Sequence, residues 1–114
     1  MKIVCKKVSP LERNTLRGFA EINITDLGMT IRDVAIHCKN GSTWASPPSK
    51  PQIKDGAVVK DEAGKIAYAP IIEFCSREAR DKFSAAVIEA VRATADGKRA
   101  LGEQAGNAFR AGAS

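Results

Sequence analysis

The segment Phe19-Ala20-Glu21-Ile22-Asn23-Ile24-Thr25 alternates apolar and polar positions, so Ala20, Ile22 and Ile24 share one face of a pleated strand and Phe19, Glu21, Asn23 and Thr25 the other. A turn at Asp26-Leu27-Gly28 leads into a second β-rich run, Met29 to Cys38. Within it the apolar phase changes from odd (Met29, Ile31) to even positions (Val34, Ile36). One extra residue near Arg32-Asp33, a β-bulge, would restore a single buried face; the alternative is a strand buried on both sides. Asn40-Gly41 then suits a tight turn, because both residues tolerate positive φ at low cost. After Trp44, Pro47-Pro48 removes backbone donors and ends the pairing. The pattern predicts strands over 2–8, 16–25, 29–38, 43–47 and 66–74. Residues 9–15 read as a polar connection, and Pro70 requires the last strand to lie at an edge or to break at that point.

The helix signal is equally direct. Ser76 is a suitable N-cap and Glu78 lies in the first turn, where a negative charge suits the helix dipole. Ala79, Phe83, Ala86, Val87, Ala90 and Val91 recur at helical spacing, which predicts an amphipathic helix over about 77–95 packed on one sheet face. Asp96-Gly97 is expected to end it. The Gly/Ala-rich remainder, 96–114, reads as a flexible tail following one α+β domain over 1–95.

Composition narrows the function classes. A chain of 114 residues is one domain with room for one core, and no apolar run reaches the length needed to cross a bilayer. The N-terminus lacks the apolar stretch of a secretory leader, so a cytoplasmic location is expected. Cys5, Cys38 and Cys75 are odd in number, have no Cys-x-x-Cys spacing and read as reduced thiols used as small hydrophobes; no metal site or cofactor is expected. The formal net charge of +5 is compatible with a phosphate-bearing partner, although the cations are spread along the chain.

Taken in order, Ile31-Arg32-Asp33-Val34, Asn40-Gly41, Pro48-Ser49-Lys50, Asp55-Gly56, Ala69-Pro70-Ile71 and the helix from Ser76 resemble the stage V sporulation protein G (SpoVG-like) family across roughly residues 16 to 92. The resemblance implies an antiparallel sheet of about five strands with one C-terminal helix, a sheet-mediated homodimer, and a regulator that binds DNA or RNA. Two departures stand out. Pro51 occupies a position where the family usually carries Arg, which costs the loop a cation. Residues 57–66 look like an insertion into the connection before the last strand.

No catalytic constellation is visible. His37 is the only histidine, and its neighbour Cys38 points to the opposite face of the same strand, so the chain reads as a non-enzyme. For nucleic-acid binding the resemblance makes Lys50 the first candidate phosphate contact, with Lys54, Arg77, Arg80 and Lys39 as further cations. Trp44 is either a core residue or a stacking partner for a base. Arg32 reads as structural, pairing with a carboxylate across strands. Two other classes remain open: a coactivator-like single-stranded-DNA-binding module, and a protein-interaction scaffold without nucleic-acid affinity.

Overall fold

The computed structural model describes residues 2–102. Four strands, β1 (Ile3–Arg13), β2 (Leu16–Ile24), β3 (Met29–Lys39) and β4 (Ser42–Ser46), form an antiparallel sheet in sequence order. A second, smaller set follows: β5 (Ser49–Pro51), β6 (Ile53–Lys54), β7 (Ala57–Val58) and β8 (Tyr68–Pro70). Helices α1 (Arg77–Arg92) and α2 (Ala95–Ala100) complete the α+β fold. None of the helices among the described residues is long and apolar enough to cross a membrane.

The alternation in β2 is realised as expected: Ala20, Ile22 and Ile24 are buried against the helices. The phase change in β3 is a bulge at the expected place. Ala20 pairs with Val34 and Ile22 with Ile31, so Arg32 and Asp33 together face Glu21. Asp33 takes φ +59°, a left-handed conformation that aspartate tolerates better than most residues. A second bulge mirrors it on the other side. Cys5 pairs with Ile22 and Lys7 with Glu21, leaving Lys6 as the extra residue of β1. That residue explains why Ile3 and Cys5, then Val8, all turn to the helix side. Arg32 bridges to Glu21 at 3.3 Å, which ties β3 to β2 at the point where both neighbours of β2 are bulged.

Several expectations are corrected. β1 extends through the supposed polar connection to Arg13, because residues 9–13 pair with β2 although they bury nothing. Pro10 is tolerated there because β1 is an edge strand. Gly18 faces this extension, and a Cβ on it would lie 2.8 Å from the Ser9 carbonyl oxygen. The fifth strand does not join the sheet. Pro47-Pro48 turns the chain away, and of the expected 66–74 strand Tyr68–Pro70 pairs with β5 while Ile66 forms a single bridge with Lys60. Residues 71–76 instead descend to α1, with Ile72 and Phe74 packed against the core.

Ser76 caps α1 as expected, its hydroxyl accepting from the Ala79 amide at 3.1 Å. The helix ends at Arg92 rather than 95. Thr94 interrupts it: its hydroxyl donates to the Val91 carbonyl at 2.8 Å and accepts from the Gly97 amide at 2.8 Å. This caps α2, so Asp96-Gly97 begins a new helix instead of a tail. Ala100 and Leu101 reach the core, and α2 packs on β1. The rest of the expected tail, 103–114, lies outside the described residues. Phe83, Val87, Ile88 and Val91 of α1 close the core over Ile22, Val34 and Ile36. Burying each such side chain contributes roughly 1.5–3 kcal/mol. Cys5 and Cys38 are half-buried and serve as small hydrophobes, but Cys75 is exposed; all three are free thiols.

Candidate nucleic-acid interface

Beyond Pro48 the chain builds an arm. β5 and β8 form its base, and β6 and β7 are joined by Asp55-Gly56, whose φ values of 54° and 77° suit the tight two-residue hairpin turn. The Gln52 amide donates to the Ala67 carbonyl and the Val59 amide to the Gln52 carbonyl, which knits the two ladders together. The apparent insertion at 57–66 is the outer part of this arm. Its second turn is shaped by Asp61, whose carboxylate accepts from the Ala63 and Lys65 amides, both at 2.9 Å.

Lys50 and Lys54 line a shallow cleft of about 620 Å³ on the arm together with Gln52, Ile53 and Val59. Ile53, Val58 and Tyr68 are exposed apolar residues of the arm, at 62%, 43% and 57% exposure. No carboxylate among the described residues lies within ion-pairing distance of Lys50 or Lys54.

Arg77 and Arg80 sit at the arm's base. They line a cleft with Pro47, which lies shortly before β5, and Pro70, the last residue of β8. Both guanidinium groups approach Asp81, each at 3.8 Å, so their charge is partly offset. The structure therefore gathers Lys50 with Lys54 on the arm and Arg77 with Arg80 beneath it. Lys39 is not part of either pair. It is opposite Ser42 at the Asn40-Gly41 turn, the end of β4 remote from Pro47.

Trp44 is only half-buried and stands outside the core cluster. Its ring stacks on His37, with centroids 5.3 Å apart and planes within 9°. Thr15 Oγ1 lies 3.0 Å from His37 Nδ1 on the opposite flank. The pair was within reach of the sequence. A two-residue Asn40-Gly41 turn pairs Lys39 with Ser42, and counting back two rungs places His37 opposite Trp44. Both rings lie on the sheet face that the helices leave uncovered, together with Phe19 and Ala35.

Burial pushes the His37 pKa below its ordinary value of 6.5. The unfolded chain then holds the proton more tightly, so stability is full above about pH 6.5 and declines as the pH falls through the folded-state value. The urea midpoint is expected to drop between pH 7.5 and 5.5, with a smaller drop in His37→Gln. Equal drops in the two proteins would show that His37 is not the cause.

Among the described residues no cluster of three or more metal-ligating side chains occurs. No family model matches the chain, and neither a curated protein nor a solved structure matches it.

Proposed function

We propose that the chain is a small cytoplasmic nucleic-acid-binding regulator that acts as a homodimer, gripping DNA or RNA phosphates with Lys50 and Lys54 of the arm and with Arg77 and Arg80 at its base. The observation that carries this reading is the pair of lysines lining one cleft of the arm, with no carboxylate within ion-pairing distance among the described residues. Cations without local partners are the ones that release counterions when they meet phosphate. The ordered resemblance to the SpoVG-like family supports the same reading. Ile53 and Val58, exposed on the arm, favour pairing with a second copy, which would remove them from water. Light scattering is expected to give twice the chain mass.

A second reading, a single-strand-binding module of the coactivator-like kind, is favoured by the His37–Trp44 stack on the uncovered sheet face. The two are separated by fluorescence anisotropy with labelled single-stranded DNA, duplex DNA and RNA at two salt concentrations. Lys50→Ala is expected to weaken binding to every sequence alike and to flatten the salt slope by about one unit. An unchanged slope would remove Lys50 from the interface. No binding at low salt would reject both readings in favour of a protein-interaction scaffold.

A further inference from the structure

The uncovered sheet face carries a recognition site that rests on the nucleic-acid reading and deepens it. We propose that the groove between this face and the arm's base receives one unpaired guanine, stacked among Phe19, His37 and Tyr68 and held at its edge by the Asp33 carboxylate. The groove measures about 520 Å³ and its walls include those rings together with Pro48 and Ile71. Small-ligand sites run roughly 300–1,000 Å³ and combine apolar walls with a few placed polar groups.

Asp33 supplies the placed group. The bulge that holds it at φ +59° also sets Val34 toward the core, so Asp33 belongs to the groove side. Its neighbour Arg32 goes to Glu21, and no described residue forms a hydrogen bond or ion pair with the Asp33 carboxylate. A residue kept in a sparsely populated conformation, with an open acceptor where this aromatic groove meets a smaller cleft lined by Lys7 and Arg32, is the kind of feature that marks a binding site.

The chemistry of the edge selects the base. A carboxylate only accepts hydrogen bonds. Guanine presents two adjacent donors, N1–H and the N2 amino group, matched to two carboxylate oxygens. Adenine and cytosine place a ring acceptor beside their amino donor, which would face the second oxygen. Thymine and uracil offer one N–H between two carbonyls. The guanine edge is free only when the base is unpaired, so duplex DNA is excluded from the groove. Ser49 lines the groove, and Lys50, the next residue of β5, lines the neighbouring cleft of the arm.

Trp44 is the chain's one tryptophan and stacks on His37, so its emission reports on the groove. Guanosine, inosine and thymidine would be titrated first, without any phosphate. Short single strands carrying one central guanine, inosine or thymine would follow at low salt. Guanine is expected to bind about tenfold more tightly than inosine, which lacks the N2 amino group, and more tightly still than thymine. Asp33→Asn, which tolerates the same backbone conformation, is expected to erase that order. Lys50→Ala should weaken every strand equally and keep the order. Equal responses to guanosine and inosine in the unmodified protein, or an order that survives Asp33→Asn, would overturn the proposal. Guanosine binding without any strand binding would uphold the groove and reject the phosphate-gripping function. Salt-sensitive strand binding without base preference would do the reverse.

Discussion

Replacing Phe83 with alanine is expected to destabilise the protein by about 3–5 kcal/mol, the usual range for removing a buried aromatic ring. Phe83 is 4% exposed and belongs to the cluster that joins α1 to the sheet. Its ring also meets Phe74, with centroids 5.2 Å apart and planes at 43°. Such tilted pairs add about 0.5–1.5 kcal/mol beyond burial alone. Phe74 lies in the segment that brings the chain back from the arm, so the same substitution loosens the arm's base beside Arg77 and Arg80. Urea denaturation would measure the loss, and nucleic-acid affinity at a temperature where the variant is folded would read the second effect. A native total of about 5–15 kcal/mol leaves little room for such a change. A loss below about 1 kcal/mol would mean that Phe83 is not the hinge of the core.

Gly97→Ala is the second large effect, and its sign is informative. Helix propensity alone predicts a gain of about 1 kcal/mol, since glycine is the poorer helix former inside α2. The packing predicts the opposite. A Cβ at position 97 would overlap the Val91 carbonyl oxygen and come within 2.6 Å of both Thr94 Oγ1 and Val91 Cγ1. Those atoms form the corner between the two helices, where the Thr94 hydroxyl links the Val91 carbonyl to the Gly97 amide. Backbone cannot yield as a flexible side chain can. The expected result is a loss of about 3 kcal/mol, at the upper end for overpacking, because α2 must swing outward and take Ala100 and Leu101 from the core. A higher urea midpoint in Gly97→Ala would show that the helix corner is not tightly packed.

Where the pattern of residues was periodic and bounded, it was readable. β2, the bulge in β3, the Asn40-Gly41 hairpin and the Ser76 cap each follow from short-range rules that tertiary structure did not override. What was not readable depended on pairing over distance. Residues 9–13 carry no apolar alternation and become strand only because β2 offers them an edge. The segment 66–74 has strong β character, yet Pro47-Pro48 diverts its partner strand, so it pairs on the arm. α2 is six residues with a buried glycine, a composition that looks like a tail until Leu101 is seen in the core. Of the candidate site, the cations were evident as residue types, but which of them lack a neighbouring carboxylate was decided by geometry. Asp81 between Arg77 and Arg80 is a matter of helix side-chain placement. The groove was hidden because it joins β2, β3 and the arm.

The paired bulges about Glu21 have a consequence for how this chain tolerates change. Lys6 is exposed, and its side chain packs against nothing in the core, so many residues would serve in its place. Its removal is compatible with the pairing as well. With one residue fewer, Ile3, Cys5 and Val8 would alternate as in a regular strand and stay on one face, still opposite Ile24, Ile22 and Ala20. The same holds for the two residues opposite Glu21 in β3. Here the extra residue sets the local bend of the edge and not which side chains it buries: position 6 can be rewritten freely, and skipping it leaves the same residues in the core.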